Sequence, residues 1–115
     1  MFMLGMEYTD TLTLSNGVVI PEQSIGVADK RGGLGLHGAD GIFGLGPVGL
    51  TKATLNNDPQ ASIPTIIDNL LTQGTITQNV VSFFFAPMLQ TSITYGTITL
   101  GGIDPTDVTS SITYT

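Results

Sequence analysis

Side chains able to carry acid–base or nucleophilic chemistry are few in this sequence of 115 residues: nine carboxylates, one histidine and no cysteine. Without cysteine there is neither thiolate chemistry nor a disulfide framework. His37 has no second His or Cys to share a metal ion, and in its glycine-rich setting it reads as a solvated loop histidine. Hydrolysis by aspartates needs two carboxylates that share a proton. Asp40 is a candidate for one of them, but nothing in the sequence places a second beside it. Gly33-x-Gly35-x-x-Gly38 fits the dinucleotide-binding fingerprint letter for letter. That fingerprint works only where a helix opens on its third glycine, and the next residues are ADGIFGLG, which no helix tolerates.

The stretch ADGIFGLGPVGL (39–50) poses the central question of the sequence. It sets glycines beside large apolar residues, which weakens both a helix and an ordinary strand. Such a mixture suits a backbone that passes close to another backbone.

The elements around it are mostly strands. Thr, Ile, Gly, Ser and Val are prominent and charged residues are scarce, a composition for strands and turns. Thr9, Thr11 and Thr13 alternate with Leu12 and Leu14, and Asn16-Gly17 is a strong hairpin signal. Positions 18–20 and 24–28 continue in extended form, with a break expected at Pro21. Positions 29–38 read as a glycine-rich loop, and 51–62 as a polar loop with a short helical turn near 52–55. One helix is expected over 64–73: Ile63, Ile66, Ile67, Leu70 and Leu71 form a single apolar stripe. Ser62 is the expected cap, Pro64 falls in the first turn and Gly74 stops the helix. Asp68 and Asn69 lie on its polar side, as solvated or capping residues. NVVSFFFAP (79–87) reads as a buried strand, SITYGTITLGGID (92–104) as an alternating one, and SSITYT (110–115) as the start of another.

Nine carboxylates against Lys30, Arg31 and Lys52 give a formal net charge of −6. That balance argues against nucleic acid, whose binding needs a cationic surface. No window is long enough for a transmembrane helix. The opening MFMLGMEYTD lacks a basic region and a cleavage site and is too short for a signal peptide. Both ends read as cut in mid-sheet, because strand edges left open at a terminus invite aggregation.

Several of these stretches, in order, resemble the pepsin-like aspartic proteases. Asp40-Gly41-Ile42-Phe43-Gly44-Leu45-Gly46 is similar to that family's Asp-Gly-Ile-Leu-Gly-Leu signature. PTIIDNLLTQGTI resembles its Pro-Val-Phe-Asp-Asn-Leu helix, VVSFFF the next strand, GTITLGGID its Gly-Gly-Ile-Asp hairpin, and ITYT the start of the strand towards the second lobe. YTDTLTL and IPEQSIGVA resemble the strands after the flap. The wording is nearest the polyporopepsin-like enzymes of basidiomycete fungi. The resemblance spans nearly the whole chain, but the family's two Asp-Thr-Gly or Asp-Ser-Gly triplets are absent. Ile103-Asp104-Pro105-Thr106 has Pro after the Asp and no closing Gly, and Tyr95 lies too far downstream to be the flap tyrosine.

The resemblance implies an all-β fold, a partial pepsin-like lobe with one amphipathic helix. Residues 1–115 would be the later part of an amino-terminal lobe, running into the interlobe strand. It further implies a secreted aspartic endopeptidase, in which water activated between two aspartates attacks a peptide bond, with no cofactor and no metal. Peptide or protein substrate is the implied partner, with no membrane, no nucleic acid and no stable oligomer. This chain would supply cleft wall and scaffold without a catalytic residue, and would be inactive alone. Ile42 is the implied substrate-binding residue and Phe43 the core residue behind it, on opposite faces of one strand. Gly41 and Gly44 would let the backbone run beside the aspartate loop. The alternative is a non-catalytic binding or inhibitor-type protein on the same fold.

Overall fold

Leu12, paired with Ile20 across a hairpin, marks where the sheet meets the core. In a computed structural model, which describes residues 2–33, 38–85 and 96–113, strands β1 (Phe2–Thr13) and β2 (Val19–Gly32) form this antiparallel hairpin. A 3-10 turn at Ser15–Gly17 joins them, where the Asn-Gly pair signals it. Pro21 does not break β2. The register shifts between Asp10 and Leu12, opposite Pro21, and this bulge accommodates a residue with no N–H to donate. Thr11 Oγ1 donates to the Pro21 carbonyl at 3.1 Å. The strand also runs on through Asp29 to Gly32, so the glycine-rich loop starts later than its composition suggests. His37 and most of that loop lie outside the described residues.

Helix α1 spans Ile66–Thr72, shorter at both ends than the stripe suggests. Thr65, not Ser62, caps it: its hydroxyl accepts the Asp68 N–H at 3.3 Å, and the Asp68 carboxylate accepts the Thr65 N–H at 2.9 Å. This reciprocal box satisfies two donors that the first turn leaves without partners. Pro64 therefore stands before the helix. Gly74 ends it with φ of 77°, a left-handed conformation that glycine adopts at no steric cost.

Ile66 and Leu70, the latter 0 % exposed, pack with Ile20 of β2 into the core. Leu12, Leu14, Val18, Ile76 and Leu100 close round them. Leu71, assigned to the same stripe, is exposed.

β3 (Val81–Phe85) and β4 (Gly96–Leu100) form a second antiparallel pair, with Phe83 opposite Ile98. The apolar run predicts a buried strand here, yet Phe83 is exposed and Phe85 is 78 % exposed. Their rings stack with centroids 6.5 Å apart, and Phe83 also lines a cavity with Ile103, Val108 and Ile112. At the end of β4 Gly101 has φ of 85°, and its N–H donates to the Val80 carbonyl at 2.7 Å. Positions 110–113 are not in a strand, and Tyr95 and positions 114–115 lie outside the described residues. A 3-10 turn falls at Val48–Thr51, ahead of the expected one at 52–55.

Candidate functional site

A cavity of about 540 Å3 opens between the β1–β2 hairpin, the 42–51 segment and the start of α1. Each wall has its own anchor. Thr51 Oγ1 donates to the Val48 carbonyl at 2.7 Å and accepts the Ile63 N–H at 2.8 Å, which ties the Val48–Thr51 turn to the chain entering the helix. Asn69 Nδ2 donates to Gln23 Oε1 at 3.0 Å, and Gln73 Nε2 donates to the Val19 carbonyl at 2.9 Å, which ties α1 to β2.

Ile42 lines this cavity, and so does Phe43. The two were expected on opposite faces of a strand, one open and one buried. Residues 41–45 are not in a strand here, and Ile42 is 59 % exposed and Phe43 48 % exposed. Phe43 is thus not a core residue among the described elements. Leu12 and Ile25 complete the apolar lining from the hairpin, and Leu50 from the turn.

Gly41 and Gly44 were expected to permit close approach of a second backbone. A Cβ built on either would meet no described atom within 4 Å, so that approach is not made among the described residues.

No described carboxylate lines the cavity, although Glu7 accepts a hydrogen bond from the hydroxyl of Ser24, which does. Asp40 is exposed and does not line the cavity. Asp104 is held below its ordinary carboxyl value of 3.8 by the Thr106 hydroxyl, at 2.7 Å, and then by the Thr106 N–H, at 2.9 Å. This is a turn closed on itself, not a proton-sharing pair. Asp68 caps the helix, and Asn69, expected in solvent or in a cap, reaches Gln23 instead.

Sequence reasoning missed Gln23, the one buried polar residue among those described, at 6 % exposure. Its signal was present: an uncharged amide inside an extended stretch, able to satisfy itself both along and across the strand. Leu50, the last residue of ADGIFGLGPVGL, was given no role of its own.

What the site offers chemically is an apolar recess with the Ser24, Thr51 and Thr65 hydroxyls and no carboxylate among its lining residues. The pattern that defines the eukaryotic aspartyl proteases matches residues 2–115. Polyporopepsin of Irpex lacteus is 50 % identical over 111 residues, covering 96 % of this chain and 32 % of that protein. Pepsin B of Canis lupus familiaris is 32 % identical over 98 residues, covering 83 % of this chain and 22 % of its own. The crystal structure of an aspartic proteinase from Irpex lacteus superposes with a TM-score of 0.83 at 47 % identity, covering 95 % of this chain and 31 % of that one. The chain thus spans a third or less of the length of each protein it matches.

Proposed function

The chain belongs to the eukaryotic aspartyl protease family, and we propose that it forms one wall of the substrate cleft of a secreted aspartic endopeptidase. In this reading residues 1–115 are the later part of an amino-terminal lobe, leading into the interlobe strand. In a complete enzyme of this kind, two aspartates share a proton and activate a water that attacks the peptide carbonyl. This chain contributes neither aspartate. Its part is to seat the peptide, with Ile42 and Phe43 together presenting apolar surface to a side chain beside the scissile bond.

The observation that carries this reading is the cavity itself, lined by Ile42, Phe43, Gly44 and Gly46 of the signature on one side and by the hairpin and the start of α1 on the other. The two glycines with open space before them support it, since they leave room for the aspartate loop. Alone, the chain is expected to bind peptide weakly and to cleave none.

A direct test is titration of the purified chain with an uncharged peptide containing Leu and Phe, followed by methyl and aromatic NMR. Shifts concentrated at Ile42, Phe43 and Leu50 are expected. Shifts confined to the β3–β4 face, or none at all, would overturn the assignment of this cavity.

A further inference from the structure

We infer that Gln23 and Asn69 are positioning residues, an amide pair that fixes the separation of the two cavity walls. The inference rests on the cleft reading above. Gln23 sits on β2 and lines the cavity from the hairpin side together with Ser24 and Ile25, whereas Asn69 does not line it. Asn69 sits on α1 one turn beyond Thr65 and Ile66, which line it from the helix side. Their side chains meet at 3.0 Å across 46 residues of sequence, and the Gln23 amide also donates to the Ser24 carbonyl at 3.0 Å. One buried amide therefore binds the helix through its oxygen and the cavity-lining strand through its nitrogen.

The apolar contacts nearby would not impose this spacing. Ile20, Ile66 and Leu70 hold helix and strand together, but such packing is non-directional and tolerates small sliding movements. A hydrogen bond between two planar amides restricts both distance and orientation. The second tether, from Gln73 to the Val19 carbonyl, lies one turn further along α1 and away from the cavity. It stops the helix swinging about the Gln23–Asn69 contact. Both amides of the pair have their oxygen or nitrogen assigned by this geometry, so each has a definite role: Asn69 donates and Gln23 accepts.

A double-variant experiment on the full chain separates positioning from mere support. Gln23→Leu alone strands the Asn69 amide and is expected to lower both the melting temperature and peptide binding. Gln23→Leu combined with Asn69→Leu removes both polar partners, which can leave stability nearly unchanged. With the Leu- and Phe-containing peptide as probe, the double variant should melt within a few degrees of the wild type and bind roughly tenfold more weakly, about 1.4 kcal/mol. Gln23→Glu keeps an acceptor facing Asn69 and should retain most of the binding, whereas Asn69→Leu alone, at a position that does not line the cavity, should weaken it; unchanged binding there would make Gln23 a mere contact residue and overturn the inference. If the double variant binds as tightly as the wild type, the pair is only structural and the inference falls. If the double variant does not regain the wild-type melting temperature, the comparison moves to Gln23→Glu, and weakened binding there without loss of stability also overturns it. If the wild type itself shows no shifts at Ile42 and Phe43, the cleft reading fails first and takes this inference with it.

Discussion

Gly101 faces Ile76 so closely that a Cβ added to it would lie 2.6 Å from both Cβ and Cγ2 of the isoleucine. With φ of 85°, the position is also left-handed. The Gly-Gly-Ile-Asp hairpin therefore places its first glycine where β4 turns back over the segment that leaves α1. Gly101→Ala is expected to cost at least about 1 kcal/mol for the backbone conformation. Overpacking against Ile76 should add about 1–3 kcal/mol. Thermal melts of this variant beside Gly102→Ala check it, since an added Cβ at Gly102 meets nothing within 4 Å.

The helix start gives a second expectation. Thr65→Ala removes the hydroxyl that accepts the Asp68 N–H and should destabilise by about 1 kcal/mol. Thr65→Ser keeps the oxygen and should stay close to the wild type. Ser62→Ala should be silent, because Ser62 does not cap α1. Equal losses at positions 62 and 65 would refute the capping assignment.

The helix was the most legible element, and its errors are instructive. The stripe at i, i+3, i+4 located α1 correctly, but Ser62 and Pro64 offered a plausible start while Thr65-Ile-Ile-Asp68 held the real one. Reciprocal pairing of Thr65 with Asp68 satisfies two backbone or side-chain donors at once, and Ser62 satisfies none. The order of β1 to β4 was also readable, because alternation and Asn-Gly are local signals, whereas 41–45 and 110–113 are not strands. Exposure was not. Phe83, Phe85 and Phe43 are apolar enough for a core, but burial depends on whether a covering element is present, and no local pattern records that. Around the cavity, the motif drew attention to Ile42, whereas Gln23 meets Asn69, 46 residues away, a contact that no local pattern records.

For Ile42 and Phe43 the expected outcomes are now alike. Both are about half exposed, so neither Ile42→Ala nor Phe43→Ala should approach the roughly 3–5 kcal/mol of a fully buried Phe→Ala. Both should weaken binding of an apolar peptide, by about 1–3 kcal/mol if one pocket contact is lost. Melting curves and peptide titrations of the two variants decide this. A large stability loss for Phe43→Ala alone would restore it to the core.

The pH response of the Asp104 turn has a definite sign. Its folded carboxyl lies below the ordinary value of 3.8, held there by the Thr106 hydroxyl and then the Thr106 N–H. A lowered value means the turn favours the charged form. Its contribution is complete above the unfolded value and disappears as the pH falls through the folded one. Carboxyl NMR should show Asp104 titrating below 3.8, and Thr106→Val should move it back upward. A midpoint unchanged by Thr106→Val would contradict the assigned cause.

The β3–β4 face should govern solution behaviour. Phe83, Phe85 and Ile98 leave an apolar surface on a two-stranded sheet whose outer edges no described strand pairs, a combination that promotes association without fixed stoichiometry. Light scattering should rise with concentration in the wild type and fall in Phe85→Thr. A wild type that stays monomeric at high concentration would show that this face is harmless.

As proposed above, this chain seats peptide but supplies no group that hydrolyses it. Mass spectrometry of the Leu- and Phe-containing peptide, after incubation with the purified chain across the acid pH range, tests that most directly. The peptide should remain intact under the conditions in which it shifts the Ile42 and Phe43 resonances. New peptide termini, suppressed by pepstatin, would show a working aspartate pair and contradict the account.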